Sequence, residues 1–342
     1  MWIYDKKEQV KNQVKNYLNM DKFPIINGYN FENEFNFNDF INNYKTMGFQ
    51  GSNLGLAIDL INKVYVKKNE ENIKIYLSFT GNMISSGNRD IIKFLVKNKL
   101  VDAIVTTASG IEEDIIKSIK PFHLGTFDVK GNVLLNECIG RIGNVFVPVD
   151  RYLYLEKFIN TIFPLISSNK EIMGANEIIN LIGKEIKTNE LTKEKYDESF
   201  IYWAYENNIP VYCPGLSDGA IGDMAVFYKQ KDKNLVIDVI KDNESLTKML
   251  MNSEKTASII LGGGISKHFL LNAAIFRDGF DYSIYLSTSQ EFDGSDSGGN
   301  QEEAITWAKI KPNAERVKVN ADATITFPLL IASVFSKNEK NN

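Results

Sequence analysis

The sequence predicts a doubly wound α/β domain, with a mostly parallel sheet covered by helices on both faces. One observation is a recurring unit: an apolar β-branched run, then a Gly/Ser/Thr/Asp loop, then an amphipathic helix. Strands that alternate with helices need crossover connections, and those connections build parallel sheets with both faces covered. The other observation is bulk composition. At 342 residues, with 44% hydrophobic and 24% charged residues, the chain can bury a sizeable core as one large domain or two modest ones.

Taken in order, residues 1–25 read as an N-terminal helical arm. Val10, Val14, Tyr17 and Leu18 recur at helical spacing among charges, and Pro24 closes the element. Residues 26–336 read as one α/β domain. Its units are IKIYLSF, TGNMISSGNRD and IIKFLVKN; VDAIVTT, ASGIEED and IIKSI; PVYCPG and LSDGAIGD; ASIILGGG and ISKHFLLNAAIFRDG; DYSIYLS and the loop that follows it; and RVKVN with ADATITFPLLIASVF. Between 151 and 208 the rhythm gives way to long helical segments, a helical elaboration in which KTNELTKEKYDES is a surface connection. The polar tail 337–342 is expected to be disordered.

Charge and cysteine usage exclude several classes. A net charge of -4 and a pI near 5.5 offer no global attraction to nucleic acid or to anionic lipid. Cys138 and Cys213 are the only cysteines, with no zinc or disulfide spacing, which fits a reducing, cytoplasmic setting. The charged start MWIYDKKEQVKNQVKNYL is unlike a signal peptide, and no apolar run is long enough to span a bilayer. A soluble protein is expected. Both cysteines lie in apolar contexts and read as core residues, and no GxSxG element supports a hydrolase.

In an open parallel sheet, ligands bind at the carboxyl ends of the strands, so the loops of these units converge on one edge. Gly262-Gly263-Gly264 follows SIIL and precedes a helix. Such glycines let backbone amides approach a phosphate at a helix N-terminus, and tight turns alone explain them equally well. Thr107-Ala108-Ser109-Gly110 and Gly81-Asn82-Met83-Ile84-Ser85-Ser86 hold the same place in their own units. Neither G-x-G-x-x-G nor G-x-x-x-x-G-K-[ST] is present. Asp218 and Asp322, each just after a strand, suit ribose hydroxyls or helix N-caps.

The stretch STSQEFDGSDSGGNQEEAITWAKIK gathers Glu291, Asp293, Asp296, Glu302 and Glu303 ahead of Trp307 and Lys309. The acids alone read as a solvated turn, and the spacing of a calcium loop is not met. A polyamine would use every feature: carboxylates for its ammonium groups, an indole face for its methylenes and for cation–π contact. An ordinary lysine is almost wholly protonated at neutral pH, and only the neutral amine attacks an imine. Carboxylates alone would hold that proton on. With a polycation bound to the acids and water excluded by Trp307, desolvation and like-charge repulsion would both remove it. The alternative is a plain surface lysine. His268, just inside the helix after the triple glycine, would face the same edge as a proton shuttle, whereas His123 in KPFHLGTF reads as structural.

These loops together resemble the deoxyhypusine synthase family from about Gly28 to Phe335. The motifs that carry the resemblance are NGYNFE, TMGFQGSNLG, SFTGNMISSG, VDAIVTTASGIEED, RIGNVFVPVD, IPVYCPGLSDGAIGDM, LGGGISKH, YLSTSQEFDGSDSGG, EEAITWAKI and VKVNADATITFPLL. The resemblance implies a Rossmann-like homotetramer with active sites at a dimer interface. It implies NAD as cofactor and spermidine as donor of an aminobutyl group, carried as an imine on a lysine and passed to a lysine of translation factor 5A. By the same matching, Lys309 is the carrier and His268 catalytic. Spermidine would be bound by Glu112, Glu113, Asp223, His268, Tyr285, Gly294, Ser295, Asp296, Glu303 and Trp307. NAD would be lined by Gly81, Asn82, Ser85, Thr107, Ala108, Ser109, Asp218, Gly263, Thr288, Ser289, Asp322 and Ala323, with no metal. Ser109 stands where the family usually has glycine. The N-terminal arm resembles a helix that covers a neighbouring subunit's site. Two other readings use the same residues: a homospermidine synthase, with putrescine as acceptor, and a catalytically silent regulator that binds polyamine or NAD.

Overall fold

β-branched and aromatic residues dominate the runs that form the central strands, where they fill a pleated surface buried on both sides. The structure is a computed structural model describing residues 22–292 and 294–335. The proposed arm helix over residues 5–19 and the tail therefore lie outside the described residues. The chain divides into two compact units, Met1–Leu56 and Ala57–Asn342, with the division inside the helix Phe49–Lys67.

In the first unit, Tyr29 meets Phe31, Phe35 and Phe40 edge-on at ring-centroid distances of 5.0, 5.9 and 5.8 Å, the geometry that ring quadrupoles favour. The Asn36 side chain caps the helix Phe37–Asn42 by accepting from Asp39 N–H. Gly55 is required sterically. A Cβ there would fall 2.5 Å from Lys45 N, so the helix could not pass so close to that backbone.

The second unit is built on a six-stranded sheet of β1 (Ile73–Phe79), β2 (Ala103–Val105), β6 (Val211–Tyr212), β7 (Lys255–Leu261), β8 (Phe280–Leu286) and β9 (Ile310–Val319), in the order β6-β2-β1-β7-β8-β9. Every neighbouring pair is parallel. Counted within this sheet alone, the order is 3-2-1-4-5-6, which reverses between β1 and β7. A ligand crevice is expected at that switch point, outside the carboxyl ends of the two strands. β1 and β7 run in continuous register from Ile73 beside Lys255 to Phe79 beside Leu261, so Thr80-Gly81 and Gly262-Gly263 leave the sheet at one level.

Helices cover both faces. On one face Tyr76, Ile260 and Tyr285 pack with Leu246 and Leu250 of the helix Val239–Met251 and with Leu270 and Leu271 of the helix Gly264–Ala274. Phe79, one residue away from that face by strand alternation, meets Phe200 of the helix Phe200–Asn207 at 6.0 Å on the other. The expected elaboration is present as the helices Asp150–Ser167, Ala175–Ile186 and Phe200–Asn207. Among the described residues, no helix is long and apolar enough to cross a membrane.

A second sheet was not expected. β3 (His123–Leu124), β5 (Val145–Pro148) and β4 (Ile139–Ile142) form an antiparallel ladder in that order. In it His123 Nε2 lies 3.3 Å from Arg151 Nη2. Cys138 corrects the reading of both cysteines as core. Cys213 is buried, but Cys138 is exposed in a left-handed turn (φ 54°) between the helix Gly131–Asn136 and β4. Only Leu134 of that short helix is buried, so the apolar residues around Cys138 do not mark a core.

Candidate active site

Local chain geometry delivers Lys309 to the amino end of β9, the last strand of the sheet. The helix Gln301–Thr306 is capped by Asn300, whose side chain accepts Glu303 N–H. The helix ends at Trp307, and Ala308 turns left-handed (φ 53°). Lys309 N–H then donates to Ala304 O at 2.9 Å, and Lys309 O accepts Phe280 N–H at 3.1 Å as β9 begins. The turn is an αL helix stop using alanine where glycine would be unstrained.

Lys309 Nζ lies 3.3 Å from His268 Nε2. His268 Nε2 lies 3.7 Å from Asp296 Oδ1, and its Nδ1 lies 3.0 Å from the Asn272 side-chain amide. His268 and Lys309 thus meet through their side chains, although Lys309 precedes β9 at its amino end rather than at the carboxyl edge expected for the site. Glu303 and Asp296 act electrostatically on Lys267 and Tyr285 together with this group. Tyr285 is a core residue, 2% exposed, with Lys267 Nζ 5.3 Å above its ring. Trp307 is 63% exposed in the single chain, so it does not by itself exclude water.

Two lysine ammoniums hold the acidic loop through its backbone carbonyls, while Arg316 pairs with the Glu302 carboxylate. Lys267 Nζ donates to Asp296 O at 2.7 Å and Gly299 O at 2.9 Å, and Lys318 Nζ donates to Gly298 O at 2.9 Å. Burial pushes the Lys267 ammonium below its usual range, against the pull of Asp296. Ser295 caps the turn Asp296–Gly298 by accepting Ser297 N–H, and the exposed Gly294 before it is left-handed (φ 72°). Ser297 Oγ accepts Gly264 N–H at 2.8 Å, and a Cβ on Gly263 would fall 2.6 Å from Ser297 Cβ. The triple-glycine loop thus makes room for Ser297.

Across the switch point, a second acidic group forms. Glu113 accepts the Ser85 hydroxyl at 2.5 Å, and burial pushes its carboxyl up to about 7. Glu112 is raised by burial and by Asp223 and Asp218, while backbone amides oppose the shift. Its Oε1 accepts Ile221 N–H at 2.8 Å, capping the helix Ala220–Lys231 from outside because the N-cap is Gly219. Asp223 is exposed on that helix. The described contacts therefore place Glu112, Glu113, Asp218 and Asp223 in one group and His268, Asp296, Glu303 and Lys309 in another.

The donor set at the strand ends fits a dinucleotide. Asn82 and Thr288 are exposed and Thr107, Ser109 and Ser289 half-buried at the ends of β1, β2 and β8, offering hydroxyls and amides to phosphate. Gly81 N–H donates to Thr107 Oγ1 at 3.0 Å, which lies 3.1 Å from Ser109 Oγ. A Cβ on Gly81 would collide with Ser109 Oγ at 1.8 Å, so this serine accounts for the glycine opposite it. Asp218 is exposed and precedes the N-cap, open to a ribose. Asp322 instead accepts Thr324 N–H at 2.7 Å as a cap for the helix Ala323–Phe335. Ala323 itself is buried.

Sequence reasoning missed Lys267, Ser297, Lys318 and Asn272. Asn272 had a readable signal, since it lies one helical turn after His268. A buried lysine that binds carbonyls has none.

The family model described as deoxyhypusine synthase matches residues 39–334. A deoxyhypusine synthase from Musa acuminata is 40% identical over 353 residues, covering 95% of this chain and 92% of its own. A probable deoxyhypusine synthase from Dictyostelium discoideum is 40% identical over 345 residues, covering 95% of this chain and 90% of its own. An Entamoeba histolytica crystal structure provisionally given the same family description superposes with a TM-score of 0.64 at 27% identity, over 91% of this chain and 97% of that one.

Proposed function

Because the chain belongs to the deoxyhypusine synthase family, we propose that it transfers the aminobutyl group of spermidine, through an imine on Lys309, to a lysine of translation factor 5A. The observation that carries this is the 3.3 Å approach of Lys309 Nζ to His268 Nε2 beside Asp296. A nucleophilic lysine must lose a proton, and a histidine within hydrogen-bond reach is the group that takes it near neutral pH.

NAD is the proposed cofactor, held by Asn82, Thr107, Ser109, Thr288, Ser289 and Asp218 at the switch point; when bound it takes up and returns a hydride. Asp296 and Glu303 bind ammonium groups of spermidine, and Trp307 lies along its methylenes. The exposure of Trp307 (63%) is what a site completed by a second copy would leave open, in keeping with a homotetramer whose sites lie at a dimer interface. Glu112, Glu113 and Asp223 meet the substrate from the other wall.

Putrescine as acceptor remains the second reading, since it needs no different residue at Lys309. The test is incubation with NAD and spermidine labelled in its aminobutyl arm, followed by purified factor 5A or putrescine. Label on the factor supports the proposal, and label moving only to putrescine replaces it with homospermidine synthesis. For Trp307→Ala, a spermidine KM raised about tenfold or more is expected from lost stacking; an unchanged KM would remove the indole from the substrate's path.

A further inference from the structure

Asn272 has no role in the reading above, yet its side chain is within reach of the proposed base. Its amide lies 3.0 Å from His268 Nδ1, and the ring's other nitrogen faces Lys309 Nζ at 3.3 Å. His268 and Asn272 share one face of the helix Gly264–Ala274, so the backbone holds the contact.

A neutral imidazole carries one N–H, and the nitrogen without it can only accept. With the amide nitrogen toward the ring, Nδ1 accepts, the ring proton sits on Nε2, and that N–H points at Lys309. A lysine can receive it only as a neutral amine, because an ammonium has no lone pair. With the amide oxygen toward the ring, Nδ1 keeps the proton and the bare Nε2 accepts from the Lys309 ammonium. The two ends of a carboxamide are nearly equal in size, so a half-turn of the amide exchanges the states without moving ring or backbone. The ring holds one proton in both states and Nζ holds three or two. In passing from the second state to the first, Nε2 takes the Lys309 proton, as the base proposed above, and Nδ1 gives its own to solvent, so the two states differ by one proton.

We infer that Asn272 is the positioning residue that selects the His268 tautomer, and so decides whether Lys309 stands as an ammonium or as a nucleophilic amine. The inference rests on Lys309 being the nucleophile proposed above. Among the described residues, Asp296 Oδ1 lies 3.7 Å from His268 Nε2, and Asp296, Glu303 and Lys309 all act electrostatically on Lys267; substitution at 272 leaves these groups in place.

Asn272→Asp presents only acceptors and locks the proton on Nδ1; Asn272→Leu keeps the shape and removes the selection. The chain has two histidines, so nitrogen NMR of the full-length, histidine-labelled protein shows two rings, with His268 identified by its loss in His268→Gln. At pH 8 the wild type should show His268 protonated on Nε2, Asn272→Asp on Nδ1, and Asn272→Leu a mixture. Reductive methylation of Lys309 by formaldehyde and cyanoborohydride, followed by peptide mass spectrometry, should slow about tenfold in Asn272→Asp, because only the neutral amine reacts. The same tautomer in wild type and Asn272→Asp, or equal methylation rates, would overturn the inference. Neither readout needs spermidine or NAD, so a failure here is separable from a failure of the transfer reaction.

Discussion

The pair Arg89–Asp114 fixes the helix Ala108–Lys117, which carries Glu112 and Glu113, and its removal has a calculable cost. Arg89 Nε donates to Asp114 Oδ1 at 2.8 Å with side-chain exposures of 5% and 0%. Asp114 also accepts the Ser199 hydroxyl at 2.5 Å and the amides of Phe200 and Ile201 at 3.3 and 3.2 Å. Asp114→Ala leaves a buried guanidinium uncompensated, which costs about 3–5 kcal/mol. Each orphaned amide adds roughly 1–3 kcal/mol if water does not reach it. Set against a typical stability of about 5–15 kcal/mol, this is a large share. Replacing both partners, as Arg89→Met with Asp114→Leu, removes the stranded charge and should recover at least about 2 kcal/mol of the loss. Urea unfolding at one fixed protein concentration measures both. A cost below about 1 kcal/mol for Asp114→Ala, or a double variant no more stable than the single one, would refute the argument.

Two further predictions concern the site's walls. Ala308→Gly relieves the left-handed turn before Lys309 and should stabilise the protein by about 1 kcal/mol in the same unfolding assay; a neutral or destabilising change would mean the turn is not strained. Glu113 is raised by burial to about 7 from an unfolded value near 4.3, so the unfolded chain ionises first and stability falls as pH rises from about 4.5 to 7. Asp242, raised by burial to about 6, acts in the same direction, so Glu113→Gln should flatten the decline without abolishing it; an unchanged slope between pH 5 and 8 would count against a buried Glu113.

Much of the sheet was legible in the sequence because its strands are buried on both faces and read as apolar runs. IKIYLSF is β1 residue for residue, and DYSIYLS is β8 within one. The order of the strands was not legible, since pairing of β1 with β7 joins segments far apart in the chain. The antiparallel sheet escaped notice because its strands span two to four residues, with His123 and Leu124 both exposed, so no alternating pattern survives. At the site, motif and spacing singled out His268 and Lys309, whose side chains lie 3.3 Å apart, but not that Lys309 stands at the amino end of β9. The cap formed by Asp322 is one of the two uses its position allowed, whereas the use of Glu112 as a cap for another helix depends on tertiary approach that spacing cannot encode.

The central claim is a covalent intermediate on one nitrogen. Full-length protein incubated with NAD and spermidine, reduced with borohydride and digested, should carry an aminobutyl adduct on the peptide containing Lys309, and Lys309→Arg should carry none while still binding NAD, because a guanidinium stays charged. Spermidine cleavage that proceeds with no adduct on Lys309, or at an undiminished rate in Lys309→Arg, would contradict the account.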